Sequence, residues 1–319
     1  MKRIYTKIEN AHTTPNRTIL RIYRSIGLVL APICLLRASL LKVPGIGLQI
    51  KCGLLALNLL INRRISLSEA LELAFSPFDS VRYFEFDVFW KWLHSCGHGN
   101  HYLDVSSPRL FFLLLLSSNP ELEAWLVNPD KQDLTATQTR LHAFDLDRRC
   151  RTFNCLIAET NLSLESFDII TSISVIEHIP EPDDLIAVKN IWQLLRPGGR
   201  LFISVPCAAE AYEEYLNLNE YGILEMGEDG YVYGQRFYDA ELLQSRIFRI
   251  TGQPARTKIY GEVHPGAFIA NRAKKNRDVM YPFWRESLTM GQEYRFFEHL
   301  HELPGMGVIA MEFVKPQEL

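Results

Sequence analysis

The sequence predicts an α/β fold, a mostly parallel sheet of seven strands covered by helices on both faces, preceded by a helical extension. Three observations predict it. From His101 onward, short apolar runs alternate with helical stretches, the rhythm of a parallel sheet buried on both sides. With 47% hydrophobic residues among 319, the chain can bury a large core. Residues 1–64 carry 11 Lys and Arg against a single acid, Glu9, so this stretch is about +10 and the net charge of −3 leaves about −13 for the rest. Two parts with different surroundings follow from that asymmetry.

The basic part is also apolar, in runs over 26–36 and 52–61 broken by Arg37, Lys42 and Lys51. Neither run reaches the ~20 residues that span a bilayer. The polar and charged first twenty positions do not suit a cleaved signal peptide. Two readings stay open: a peripheral segment lying on an anionic membrane surface through residues 1–64, or a helical lid packed on the main domain. Pro44-Gly45-Ile46-Gly47 divides the helices, Ser66 or Ser68 starts a new one, and the whole stretch reads as helical. Ser76-Pro77 marks the joint between an extension of residues 1–77 and a main domain of residues 78–319, which a helical pattern over 81–90 enters. Six cysteines, none in a CxxC pair, in a chain of this size point to a reducing, cytoplasmic setting.

The expected strands are 102–105, 124–127, 155–158, 168–172, 200–205, 257–260 and 308–314. Ligands in such sheets bind beyond the carboxyl ends of the strands, where the strand order reverses. The most informative stretch is 167–206. It holds a strand opening on Phe167-Asp168, then Glu177-His178, an amphipathic helix, and a Leu195-Arg196-Pro197-Gly198-Gly199 turn into a strand ending at Pro206. Joined at this spacing, these parts resemble class I S-adenosylmethionine-dependent methyltransferases of the type 11 group. The resemblance covers about three quarters of the chain. It implies a Rossmann-like sheet whose last strand, within 305–314, is antiparallel, and S-adenosyl-L-methionine as cofactor.

The resemblance also assigns residues. Tyr102-Leu103-Asp104-Val105-Ser106-Ser107-Pro108 stands at the first cofactor motif, with Asp104 at the acidic strand end and Ser106 and Ser107 where the family has glycines. Glycine there lets backbone approach the cofactor, and each serine adds a Cβ. Ser-Ser-Pro still makes a helix opening, with a serine N-cap and proline first in the helix, whose free N–H groups can face a carboxylate. Asn128 occupies the place of the ribose-binding acid, with Asp130 as its substitute or as part of a plain Asn-Pro turn. Glu159 matches the position near the adenine amino group, and Ser172 closes the fourth strand at the cofactor edge. His178 is the candidate general base, its ordinary pKa near 6.5 suiting proton removal from a hydroxyl acceptor; a structural histidine under the loop is the alternative.

Two insertions, 208–236 and 271–304, are expected to build the acceptor site. The first reads as a hairpin turning at Glu228-Asp229-Gly230, between Ile223-Leu224 and Tyr231-Val232-Tyr233. The second combines Arg272, Lys274, Lys275 and Arg277 with Tyr281, Phe283, Trp284 and Tyr294. Such residues suit a small-molecule, saccharide or lipid-linked acceptor. His94, Cys96, His98 and His101 match no common zinc spacing, and no metal is expected. A nicotinamide-dependent oxidoreductase would need a GxGxxG turn after the first strand, which is missing, and an acidic main domain without an Asn-Pro-Pro-Tyr type motif speaks against a nucleic-acid substrate. The remaining rival is a catalytically silent methyltransferase-like scaffold.

Overall fold

The computed structural model describes residues 1–9, 17–95, 99–219, 221–278 and 281–317. A short strand β1 (Lys2–Thr6) precedes helices α1 (Arg17–Leu40), α2 (Ile46–Ile61), α3 (Leu67–Phe75) and α4 (Arg82–Ser95). Then follow β2 (His101–Val105), α5 (Arg109–Ser118), β3 (Glu123–Val127), α6 (Lys131–Ala143), β4 (Cys150–Phe153), β5 (Phe167–Ile173), α7 (Asp183–Leu194) and β6 (Leu195–Ala208). The remainder is β7 (Tyr212–Leu216), β8 (Val232–Phe237), short α8 (Ala240–Leu243) and α9 (Arg249–Thr251), β9 (Arg256–Glu262), α10 (Ala267–Arg277), α11 (Glu286–Glu293), β10 (Tyr294–Phe297) and β11 (Met306–Val314).

The main sheet runs β10-β9-β11-β6-β5-β2-β3-β4. Its five central strands from β6 to β4 are parallel, and β11 lies antiparallel to both β6 and β9. The mostly parallel sheet with an antiparallel last strand is therefore present. An eighth strand, β10, extends the β9 edge with residues from the second insertion. After β4 the chain returns to the other side of β2, so the strand order reverses between β2 and β5, the place where such sheets bind ligands.

Burial explains the architecture. Every residue of β5 is buried, as a central parallel strand covered on both faces requires. One apolar cluster joins α4 and α5 to one face of the sheet, and a second joins α7 to the other. Helix α5 buries every residue from Leu110 to Leu116, because it is wedged in the first of these layers. Gly198, at φ 77°, makes the turn after α7 that an L side chain would strain.

Three expectations need correction. The strand expected at 155–158 is β4, at Cys150–Phe153, whose residues pair in register with Ala124–Val127. Residues Ile157–Glu159 instead form one turn of 3₁₀ helix, of which only Ile157 is buried. The extension is not all helical, because β1 pairs in parallel with β7 across the sequence. The hairpin turn at 228–230 is present, with Gly230 at φ 77°, but its first strand is β7 rather than Ile223-Leu224. Strands β1, β7 and β8 thus form a small second sheet that holds the N-terminus to the first insertion. The helix breaks do fall as expected: Gly45 caps α2 at φ 80°, and Ser66 closes a capping box with Glu69. No helix among the described residues is long and apolar enough to cross a membrane.

Candidate active site

The carboxyl ends of β2, β3 and β5 bring Asp104, Ser106, Ser107, Asn128 and Ser172 together. Asp104 is fully buried, and its role is internal. It accepts the Ser107 N–H at 2.9 Å, the Tyr102 hydroxyl at 2.9 Å and the Thr171 hydroxyl at 2.7 Å. Burial outweighs those bonds and pushes its carboxyl up to about 6. Ser107 accepts the Ile173 N–H at 3.1 Å, so the loop after β2 is tied to β5. Ser106 adopts the left-handed φ of 53° that a glycine takes without strain, and donates to the Val127 carbonyl at 3.0 Å. The turn therefore keeps its glycine-like path at the cost of holding a serine in the left-handed region. The helix opening sits one residue later than expected: Pro108, not a serine, is the N-cap, and it makes no side-chain cap. Helix α5 still starts directly after the loop that follows β2, where the first N–H groups of a helix lack partners within it.

The residues expected at the ribose are committed to their own turn. Asn128 accepts the Asp130 N–H at 2.9 Å and donates to Asp133 at 2.9 Å. Asp130 is the N-cap of α6, accepting from Gln132 and Asp133. Asp133, which the sequence did not single out, also receives Arg109 Nε at 3.0 Å and so joins the starts of α5 and α6. Glu159 caps its own turn by accepting the Leu156 N–H at 2.9 Å. Ser172 is different. Its hydroxyl is buried, and among the described residues it has no hydrogen-bond partner.

The other half of the site lies beyond β5. His178 Nδ1 lies 2.6 Å from the Gly234 carbonyl oxygen, which fixes the proton on Nδ1 and leaves the Nε2 lone pair toward the Tyr221 hydroxyl at 3.3 Å. Burial lowers the imidazole to about 4, so it is neutral at physiological pH. Glu177 is buried beside it, with Oε1 3.9 Å from His178 Nε2 and Oε2 without a partner among the described residues. Burial pushes this carboxyl up to about 8. A neutral base and a protonated acid therefore stand side by side at one strand end. That arrangement can move a proton in either direction.

Strand β8 holds this pair from outside. The Tyr233 hydroxyl donates to the Glu177 carbonyl at 2.8 Å, and Gly234 is the histidine's acceptor. Fully buried Arg236 donates to Asp184 at the start of α7 at 2.8 Å, and Arg246 reinforces the same carboxylate. From the N-terminal side, fully buried Glu85 on α4 accepts Ser174 at 2.7 Å and Ser204 at 2.6 Å, and pairs with Arg82 at 2.5 Å. The sequence reading missed Glu85, Ser174, Ser204 and Arg236. An acid set between Phe84 and Phe86 in the aromatic run 81–90 was the available signal for Glu85.

Of the histidine and cysteine cluster ahead of β2, Cys96 and His98 lie outside the described residues. His94 stacks on Trp90 with ring centroids 4.3 Å apart, and the His101 N–H donates to Asp168 at 2.9 Å.

A family model described as a methyltransferase domain matches residues 101–201, from β2 into β6. Ubiquinone biosynthesis O-methyltransferase of Parvibaculum lavamentivorans is 28% identical over 135 residues, covering 41% of this chain and 42% of that protein. The enzyme of the same name from Idiomarina loihiensis is 31% identical over 93 residues, covering 28% and 37%. The chain spans well under half the length of these two curated relatives. Among solved structures, geranyl diphosphate methyltransferase in complex with SAM aligns over 73% of this chain and 84% of its own, at 9% identity and TM-score 0.47.

Proposed function

We propose, from the premise that residues 101–201 belong to the class I S-adenosylmethionine-dependent methyltransferases, that this chain transfers a methyl group to a hydroxyl acceptor with His178 as general base. The observation that carries the proposal is the placement of His178, oriented through Nδ1 by the Gly234 carbonyl with Nε2 facing the Tyr221 hydroxyl, whose place the acceptor hydroxyl would take.

Two features at the carboxyl ends of β2 and β5 support cofactor binding there. The N–H groups opening α5 suit the cofactor's carboxylate, and the partnerless Ser172 hydroxyl suits a polar atom of the ligand. The ribose would be held without a free carboxylate, because Asn128 and Asp130 are spent on their own turn. When bound, S-adenosylmethionine supplies a sulfonium-activated methyl group. This chain's residues then position the acceptor and manage its proton. His178 Nε2 takes the proton of the acceptor hydroxyl, and the Gly234 carbonyl stabilises the charged imidazole that results. Glu177, protonated at neutral pH, adds no negative charge to the acceptor pocket. Buried Glu85, anchored by Arg82 and bonded to Ser174 and Ser204, fixes the loop that carries the pair.

The acceptor is a small molecule, a saccharide or a lipid-linked group, and nucleic acid is disfavoured by the acidic main domain. The lipid-linked case goes with a cytoplasmic protein held peripherally at the inner membrane face by residues 1–64. The domain division at residue 77, with acceptor contacts from the insertions at 208–236 and 271–304, belongs to the same proposal. The spent ribose-side residues favour the second reading, a silent scaffold that retains the fold. The test is formation of S-adenosylhomocysteine with panels of phenols, sugars and hydroxylated prenyl lipids, for the wild type and His178→Gln. Turnover with one class, lost in the variant, supports the proposal; no product above the acceptor-free background with any class defeats it.

A further inference from the structure

Helix α1 is packed inside out for a helix facing water. From Ser25 on, its buried positions are the small residues Gly27, Ala31, Cys34 and Ala38, while Ile26, Leu28, Val29, Ile33, Leu36 and Leu40 are exposed. Gly27 is small for a reason: a Cβ there would lie 2.8 Å from the Trp284 ring. Large aliphatic side chains on α1 therefore point away from the body by construction. The neighbouring α2 buries Ile46, Leu48, Gln49, Cys52, Ala56 and Leu59 on one side and exposes Ile50, Leu54, Leu57 and Ile61 at helical spacing on the other. The two helices are joined through Leu41, itself exposed.

Together the eleven exposed aliphatic residues present on the order of 1,000 Å² of apolar surface, against ~300–600 Å² for the largest patch on a typical monomer. Within the two helices and the residues that join and follow them the charge has one sign. Arg37, Lys42, Lys51, Arg63 and Arg64 are all exposed, and residues 17–64 contain no acid. The one acid of the first 64 residues, Glu9, is paired with Arg277 at 2.9 Å. A protein partner with an apolar face would not require this uniform charge. An anionic bilayer supplies both components: acyl chains for the aliphatic residues and phosphate for the basic ones.

We propose that the α1–α2 hairpin is a membrane-docking face that lies in the headgroup region of an anionic bilayer, with Val29, Ile33, Leu36 and Leu40 of α1 and Leu54, Leu57 and Ile61 of α2 entering the acyl boundary. This deepens the peripheral-membrane part of the function proposed above and is independent of its methyl-transfer part. The face is two helices lying flat, α1 of 24 residues and α2 of 16, neither of them long and apolar enough to cross.

The experiment is flotation of the full chain with phosphatidylglycerol-containing vesicles and with phosphatidylcholine vesicles, at low and high salt. The variants are Leu36→Ser/Leu54→Ser on the face and Ile186→Ser, an exposed aliphatic on α7, as control. The expected result is flotation with the anionic vesicles, reduced by high salt, unchanged in Ile186→Ser and at least about tenfold weaker in the double variant. Both substituted positions are exposed, so the melting temperature should stay at the wild-type value. The proposal is overturned if the protein does not float, if the double variant floats like the wild type, or if sedimentation shows a dimer that the double variant dissociates. S-adenosylmethionine binding by the same variants is read separately, so a failed docking face and a failed methyl-transfer reading are distinguishable.

Discussion

Replacing Glu177 with glutamine should make the protein more stable at alkaline pH, although the change removes an ionisable group from the centre of the site. Glu177 is 1% exposed, and burial raises its carboxyl from an ordinary 4.5 to about 8, opposed in part by backbone bonding and Arg82. A folded-state value above the unfolded one means that the folded protein holds the proton more tightly. The contribution to stability is complete below about 4.5 and is lost as pH rises toward 8. At about 1.4 kcal/mol per pH unit, the loss across that window is on the order of 4 kcal/mol. Glutamine does not ionise, so the difference in unfolding free energy between Glu177→Gln and wild type should grow in the variant's favour from pH 5 to pH 8. Subtracting the two curves cancels Asp104, whose raised value acts in the same direction up to about 6. The assay is urea unfolding at half-unit pH steps. Parallel pH profiles for the two proteins would refute the buried, proton-holding Glu177 described here.

Ser106→Gly should stabilise the fold by about 0.5–1 kcal/mol by relieving a left-handed serine, and should tighten S-adenosylmethionine binding, measured by urea unfolding and calorimetry. Asp184→Asn leaves the fully buried Arg236 guanidinium short of its main partner and should cost about 3–5 kcal/mol, seen as a drop in melting temperature. His178→Gln should lower kcat by about 10²–10⁴ while leaving cofactor affinity unchanged. In the wild type, burial keeps the histidine at about 4 against an ordinary 6.5, so the base stays competent down to about pH 5, and the rate profile should show no titration near 6.5. The same depression makes the histidine's share of stability present above 6.5 and lost as pH falls toward 4.

The central strands were legible because a buried parallel strand centres on bulky apolar residues, here Ile169-Ile170 within 168–172 and Leu201-Phe202-Ile203 within 200–205, flanked by turn residues. The edge strand β4 was not. Cys150–Phe153 carries Arg151, whose guanidinium sits 5.2 Å from the Trp125 ring centroid, whereas the apolar 155–158 lies past the sheet edge and turns. The second sheet was hidden for a related reason. β7 contains Glu213 and Glu214, acids that read as solvated but are buried against Arg236 and against Arg272 with Thr6, respectively. Its parallel partner β1 is separated by more than 200 residues, beyond the reach of any local pattern. In the site, the backbone devices were readable: the strand ends, the Pro-Gly-Gly turn and His178. The packing that tunes them was not, because Glu85 and Gly234 meet the Glu177-His178 loop only in three dimensions.

S-adenosylmethionine should bind at the carboxyl ends of β2 and β5 despite the serines and the spent ribose-side residues there. Calorimetric titration of the purified protein with S-adenosylmethionine and S-adenosylhomocysteine, with NAD as control, measures this. Micromolar binding of both sulfur ligands and none of NAD, weakened on Asp104→Ala through loss of the loop after β2, is the predicted result; no binding of either at millimolar concentration would contradict it and leave the silent scaffold.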